Sequence, residues 1–186
     1  MTNITNIEVR PGVRLRPWAW GDEASLVQHA NNANVARYLR AVFPHPYTEA
    51  DAREWLERRA GNSSTLNWAI DVEGDAVGSI GLRLDEGYPS AEIGYWLGES
   101  YWRRGIMTAA VAALARHAFG ALRLEWLHAG VYEGNEASMA VLRANGFVAD
   151  SGWTPAVDRS GTPIRAREHV LTRPQHAELT ERPAGI

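Results

Sequence analysis

The chain has 186 residues, of which 45% are hydrophobic, and a formal net charge of −3. This composition suits one domain with a substantial core. The absence of cysteine excludes disulfides, thiolate metal sites and a cysteine nucleophile. The slight negative charge gives no general attraction for nucleic acid or anionic lipid. No apolar run approaches the ~18 residues of a membrane span, so we expect a cytoplasmic protein without nucleic-acid or membrane partners.

The first half of the chain predicts short strands and helices in turn. Residues 13–16 alternate apolar and charged side chains, which is typical of a strand. Capping residues at Asp22 and Thr48 predict helices over residues 22–33 and 48–61. Three strands follow, of which the first two form a hairpin; they cover residues 67–72, 76–84 and 91–97.

The second half contains the longest helical pattern of the chain, over residues 105–119. The elements predicted after it are a strand at 124–131, a helix at 135–144, a strand at 168–171 and a flexible tail at 173–186. This order predicts a mixed α/β (α+β) layer with helices on a central sheet. It does not alternate regularly enough for a doubly wound dinucleotide fold.

The junction between the strand at 91–97 and the long helix is the most informative segment. Backbone N–H groups in a first helical turn lack internal partners and lie at the positive end of the helix dipole, so an anion fits there. Gly105 allows a ligand to approach the backbone closely, and Arg103 and Arg104 add positive charge. We therefore predict a pyrophosphate cradle here, although a simple turn with solvated arginines is the alternative.

Two other groups of side chains bear on function. The six histidines form no H-E-x-x-H or similar ligand pair, so no metal site is predicted. Aromatic residues cluster in the first third of the chain, either as core or as the wall of an acceptor pocket; they are Trp18, Trp20, Tyr38, Phe43, Tyr47 and Trp55.

Several motifs together resemble one family. The segments E-I-G-Y-W-L and Y-W-R-R-G-I-M-T, then N-E-A-S, N-G-F and R-E-H-V, follow one another between residues 92 and 170. They are similar to the acyl-CoA-binding and terminal motifs of the GNAT N-acetyltransferases, in particular the RimJ/RimL-type branch that acetylates N-termini of ribosomal proteins. The resemblance covers about residues 13–172 and implies a single GNAT domain over 1–186. Its fold is a mostly antiparallel, twisted sheet, splayed at the cofactor site, with helices on both faces.

The resemblance implies acetyl-CoA as cofactor and transfer of its acetyl group to an amine through a tetrahedral intermediate. The amine is a protein N-terminus or a small molecule such as an antibiotic, a polyamine or an amino acid. A non-catalytic acyl-CoA sensor remains an alternative, and both a monomer and a homodimer remain open. The expected cofactor-binding residues are Ile93, Tyr95, Trp96, Leu97, Arg103, Arg104, Gly105, Ile106, Met107, Thr108, Asn135 and Ser138.

Two residues are expected to be catalytic. Leu142 stands where many GNAT enzymes have a tyrosine acid, so Ser138 is the candidate that protonates the leaving thiolate. Glu92 is the candidate base, directly or through water, with its pKa raised by Tyr95 and Trp96; the alternative places it on the far face of the sheet, paired with an arginine. Glu168 and His169 are weaker candidates. An α-amine has a pKa of about 7.7–8 and needs a weaker base than lysine does.

The motif also departs from the family pattern at two positions. Trp102 replaces the usual Gln or Arg, and Met107 replaces a Gly or Ala. The second change is expected to bring a large side chain near the phosphates.

Overall fold

A computed structural model describes residues 4–59 and 64–181 of the chain. Its strands are β1 (Ile7–Arg10), β2 (Val13–Pro17), β3 (Thr65–Val72), β4 (Asp75–Leu84), β5 (Ser90–Leu97), β6 (Trp126–Tyr132), β7 (Val148–Ala149), β8 (Thr154–Val157) and β9 (Pro163–Thr172). Its helices are α1 (Glu23–Ala30), α2 (Ala33–Ala36), α3 (Glu49–Arg59), α4 (Ile106–Gly120), α5 (Glu136–Ala144) and α6 (Arg173–Glu181).

All nine strands belong to one sheet, ordered β1-β2-β3-β4-β5-β6-β9-β7, with β8 paired to β9. The neighbouring strands are antiparallel except β5 and β6, which are parallel. The connection between these two strands contains α4, as a parallel crossover requires. The predicted fold class, a mostly antiparallel sheet with helices, is confirmed.

Side chains on alternate residues of β5 point to opposite faces of the sheet. Ile93 and Leu97 pack into the main core with α4, whereas Trp96 packs against a second cluster formed by α1, α3 and the segment between them. We call the side of the sheet that α4 covers the α4 face, and the opposite side, covered by α1 and α3, the α1/α3 face. Burying a large aliphatic side chain contributes about 1.5–3 kcal/mol, so both layers hold β5 firmly in place.

The C-terminal segment differs from the expectation. Residues 173–181 were predicted as part of a flexible tail, but they form α6. Pro174 lies in the first helical turn, where its missing N–H costs nothing. Leu179 reaches the α-carbon region of Gly146, and the ring of His176 lies 5.0 Å from that of Phe119. Packing against the domain therefore orders this helix.

Other boundaries differ less. β1 and β8 were not predicted, and β9 begins five residues before the predicted strand at 168–171. The helix predicted over 22–33 ends at Ala30, and α2 follows as a separate helix. The predicted end of α3 at Gly61 lies outside the described residues. The long helix α4 was predicted to within one residue at each end.

Candidate active site

Strands β5 and β6 separate partway along their length. They pair at three positions, ending with Glu92 opposite His128, and no further pairing joins these two fully described strands. On their outer sides β5 remains paired with β4 up to Leu97, and β6 with β9 up to Tyr132. The inner edges beyond Glu92 therefore carry backbone N–H and C=O groups that an extended ligand can pair with, as an added strand would.

A cavity of about 1000 Å³ fills the gap between the two strands. Tyr95 and Val131 line it from the α4 face, and Glu92 and Trp96 from the α1/α3 face. The cavity therefore passes through the sheet. A ligand in the gap is accessible to groups from both layers.

The predicted phosphate cradle, residues 103–108, lies at one end of this cavity. Arg103 and Gly105 both have left-handed backbone angles, with φ of 58° and 69°. Such turns gather backbone N–H groups into a concave site for anions. The indole of Trp102 donates a hydrogen bond to the carbonyl of Leu97 at 2.7 Å and fixes the loop to the end of β5. That contact accounts for the tryptophan at this position.

Most of the predicted cradle residues contact the cavity, with one exception. The residues on the cavity wall are Arg103, Gly105, Ile106, Met107 and Thr108. The Arg104 side chain instead lies over the ring of Tyr101, 5.2 Å from its centre. Met107 belongs to the main core and also lines the cavity, so a large side chain near the phosphates stays a prediction.

Tyr95 and Ser138 face each other in the cavity. The two hydroxyl oxygens are 2.9 Å apart and share a hydrogen bond. Burial raises the pKa of Tyr95 to about 12, although the bond to Ser138 lowers it in part. The phenol therefore keeps its proton at neutral pH. The sequence predicted Tyr95 as a cofactor-binding residue but gave no sign of its contact with Ser138, since that contact depends on how α5 packs beside β5.

Helix α5 holds Ser138 in its first turn. The side-chain oxygen of Asn135 accepts a hydrogen bond from the Ser138 backbone N–H at 3.2 Å and caps the helix. Both residues line the cavity. Leu142, farther along α5, is fully buried. Its side chain offers no proton, so the hydroxyl pair is the candidate acid in this part of the cavity.

Glu92 lies on the α1/α3 face between two arginines. One carboxylate oxygen bonds Arg40 and the other bonds Arg83, whose Nε is 3.0 Å away. Burial tends to raise the pKa of Glu92, but the hydrogen bond from Arg83 and the charges of both arginines outweigh it and lower the pKa. The expected raised pKa is therefore wrong. The alternative interpretation, in which Glu92 lies on the far face of the sheet and pairs with an arginine, is confirmed for the arginine partner. Glu92 nevertheless lines the cavity. Its catalytic role stays a prediction.

The weaker base candidates are engaged elsewhere. Glu168 bonds Nδ1 of His128 at 2.9 Å, and Asp85 bonds Nε2 of the same ring at 3.0 Å. His169 is buried, with Nδ1 at 3.1 Å from the carbonyl oxygen of Arg167. Neither Glu168 nor His169 contacts the gap cavity.

The aromatic cluster divides between the two expected roles. Tyr38, Phe43 and Trp55 line the cavity, while Tyr47 is a core residue and Trp18 packs edge-on against Trp55. Trp20 does neither, because it is 67% exposed. The loop before α3 thus forms one wall of the cavity.

In the described part of the chain, no group of three or more His, Asp or Glu side chains is arranged to hold a metal ion. None of the helices there combines the length and apolar character that crossing a membrane needs.

A split sheet, a backbone anion cradle and a hydroxyl pair in the gap define a class of protein that binds an extended, phosphate-bearing ligand. The family model for the acetyltransferase (GNAT) domain matches residues 13–148. The chain belongs to this family, whose acetyltransferases use acetyl-CoA. The gap, the cradle and the open backbone of β5 suit that elongated diphosphate thioester.

Two known proteins are similar to this chain in sequence and a third is similar in fold. The Bacillus subtilis N-acetyltransferase YoaA, itself uncharacterized, is 27% identical over 59% of this chain and 64% of its own length. YdaF from the same species, provisionally named a ribosomal N-acetyltransferase, is 32% identical over 56% of this chain and 57% of its own. The alignments thus span about three fifths of these two relatives. RimJ of Mycobacterium smegmatis, solved with CoA-disulfide, shares the fold with a TM-score of 0.80 at 24% identity, over 95% of this chain and 92% of its own.

Proposed function

We propose that this protein is an acetyl-CoA-dependent N-acetyltransferase whose acceptor is an amine, in the first place the α-amine of a protein N-terminus. The carrying observation is the gap between β5 and β6, with the phosphate cradle at one end and the Tyr95–Ser138 pair on its wall. Bound acetyl-CoA supplies an acetyl thioester, so that transfer forms a C–N bond, breaks the C–S bond and releases coenzyme A as its thiol.

The residues of the chain divide the binding task. The first-turn amides of α4 and the guanidinium of Arg103 hold the diphosphate. The inner edge of β5 from Ile93 to Leu97 holds the extended arm by backbone hydrogen bonds. Asn135 holds the start of α5 so that Ser138 stays directed at the gap.

Tyr95 and Ser138 serve as the acid. As the C–S bond breaks, the hydroxyl of Ser138 gives its proton to the leaving thiolate, and Tyr95 gives its own proton to Ser138 through their 2.9 Å hydrogen bond. The amine nitrogen loses its proton to solvent water in the cavity, and Tyr95 regains a proton from the same solvent. Burial of Tyr95 keeps this proton in place at neutral pH. A positioned acid of this kind typically contributes about 10²–10⁴ in rate.

Among the described residues on the cavity wall, Glu92 is the single carboxylate, and its weak basicity favours an α-amine as the acceptor. Two arginines hold Glu92 and lower its pKa, so it is a weak base for a lysine ammonium with a pKa of about 10.4. An α-amine at about 7.7–8 is roughly one tenth neutral at pH 7 without help. The provisional name of YdaF supports the same acceptor.

The test is a comparison of binding with turnover. Acetyl-CoA should raise the melting temperature, whereas ATP and NAD should not. Coenzyme A release should then depend on an added amine, measured with N-terminal peptides, polyamines, amino acids and aminoglycosides. Stabilisation by acetyl-CoA without release on any amine would instead support a sensor, and no stabilisation at all would refute the proposal.

A further inference from the structure

The charge in the cavity is unbalanced. Among the described residues on its wall, Glu92 is the single carboxylate. The arginines there number four: Arg103 at the phosphate cradle and Arg37, Arg40 and Arg83 nearer the α1/α3 face. Apart from the cradle, the cavity therefore has three positive charges for one negative charge.

Glu92 cannot neutralise its two partners. It shares one carboxylate between Arg40 and Arg83. Its side chain is 15% exposed, whereas those of Arg40 and Arg83 are 62% and 53% exposed. Each guanidinium has five N–H donors and both side chains are more than half exposed, so each retains donors for a further anion. A carboxylate or phosphate is the group that such a pair binds best.

The chain holds this arginine pair in a fixed frame. Arg83 belongs to β4, and Arg40 belongs to the segment that follows α2. Arg159, from the loop between β8 and β9, donates hydrogen bonds to the carbonyls of Ala36 at 3.1 Å and Phe43 at 3.2 Å. These two bonds flank Arg40 in sequence and fasten its loop over the sheet.

Space for a ligand group exists beside the pair. Gly94 follows Glu92 by two residues and faces the same side of β5. A side-chain carbon built at Gly94 would meet no atom within 4 Å. Phe43 and Trp96, with ring centres 5.9 Å apart, bound this side of the cavity. The opening is thus walled by aromatic rings and lined with cations.

We propose that the acceptor amine carries an anionic group, a carboxylate or a phosphate, which Arg40 and Arg83 bind. This inference rests on the proposed acetyltransferase function and narrows its substrate class. Acidic peptides and anionic amino compounds fit the site. Polyamines and aminoglycosides do not, because their additional ammonium groups would face uncompensated guanidinium charge.

The experiment uses peptides with the same α-amine and different charge. Coenzyme A release is measured with the C-terminally amidated tripeptides Ser-Asp-Ala, Ser-Asn-Ala and Ser-Lys-Ala. A fourth peptide, with phosphoserine in place of the aspartate of the first, separates carboxylate from phosphate. We expect kcat/KM for the better anionic peptide to exceed that for the lysine peptide at least about tenfold, as one ion pair in a partly dry site allows. Equal rates, or a preference for the lysine peptide or spermidine, would overturn the inference.

Variants then test whether Arg40 and Arg83 cause the preference for anionic peptides. Arg40→Gln and Arg83→Gln should each remove most of it, while stabilisation by acetyl-CoA stays unchanged. Arg58→Gln is the matched control, because Arg58 lies on α3 in an exposed pair with Glu54. A preference that survives in both cavity variants contradicts the assignment. Coenzyme A release on neutral or cationic amines alone would defeat this inference and leave the acetyltransferase proposal standing, whereas no release with any amine would defeat both.

Discussion

Tyr95 on β5 and Ser138 on α5 share a hydrogen bond of 2.9 Å across the gap where β5 leaves β6. Tyr95→Phe keeps the ring that packs against the core and removes only the hydroxyl. We expect kcat to fall about tenfold or more in this variant and in Ser138→Ala, with little change in the affinity for acetyl-CoA. Steady-state kinetics and a thermal shift with acetyl-CoA measure the two quantities.

The double variant tests whether the two hydroxyls act as one unit. If they form a single relay, Tyr95→Phe combined with Ser138→Ala should be about as slow as the slower single variant. Tyr88→Phe is the control, since Tyr88 is exposed and should retain full activity. Unchanged turnover in Ser138→Ala would remove the serine from the mechanism.

Glu92→Gln tests whether Glu92 acts as a general base or only as the ion-pair partner of two arginines. Because two guanidiniums already hold the carboxylate and lower its pKa, we expect kcat to fall less than about tenfold, a smaller loss than for a general base. The KM of the acceptor should change more, since both arginines lose their anion. A loss of kcat near a hundredfold, together with loss of the acidic limb in the pH–rate profile, would establish Glu92 as the base.

Gly105→Val tests the phosphate cradle. Gly105 has φ of 69°, a left-handed angle that a β-branched residue adopts only under strain. The added carbon itself would meet only Arg10 Nη1, at 3.8 Å. We therefore expect a loss of acetyl-CoA affinity from a displaced backbone and from a side chain placed beside the phosphates, and not from a clash within the protein.

Calorimetric titration with acetyl-CoA measures the effect of Gly105→Val. Gly120→Ala, at the other end of α4, serves as the control, because its φ is not left-handed and its surroundings are open. Unaltered affinity in Gly105→Val would show that the diphosphate binds elsewhere.

His128 should make stability depend on pH. The bonds from Glu168 and Asp85 raise its pKa despite partial burial. A raised pKa in the folded state gives stability that is fully present below the unfolded value of about 6.5 and is lost as pH rises through the higher folded value. Between pH 6 and 8 the wild type should thus lose melting temperature relative to His128→Gln. In a chain of this size ~1 kcal/mol corresponds to about 2–4 °C.

Melting curves across this pH range provide the measurement for His128. His45→Gln offers a comparison at an exposed histidine and should keep the wild-type slope. Parallel curves for the wild type and His128→Gln would contradict the assigned role of the Asp85–His128–Glu168 contacts.

The elements that local patterns specify were predictable from the sequence, and contacts between distant segments were not. Helix α4 has an uninterrupted apolar period, and its start at Gly105 is marked by the glycine itself. In contrast, the Arg40–Glu92 pair joins residues 52 positions apart. Nothing in the sequence near either residue indicates the other. The pKa of Glu92 was therefore predicted from its aromatic neighbours to be raised, whereas the arginines lower it.

The same distinction explains the errors at the C-terminus. Pro174 and the polar residues after it predict a tail. Helix α6 is instead held by contacts with Gly146 and Phe119, which lie far from it in sequence. Strand β8 has only four residues and one of them is a proline, so its sequence shows too short a hydrophobic alternation to predict a strand. Family motifs located the cradle and Ser138, but the hydroxyl partner on β5 needed three-dimensional packing.

Residues from both faces of the sheet line the cavity, so the proposed function gives each reactant a separate entrance. Acetyl-CoA would enter from the α4 face and the amine from the α1/α3 face, and neither would have to depart before the other arrives. Initial rates should then obey a sequential scheme with intersecting reciprocal plots, and no acylated form of the protein should accumulate when acetyl-CoA is supplied alone. A passage through a sheet thus lets both reactants be bound at the same time before any proton has moved.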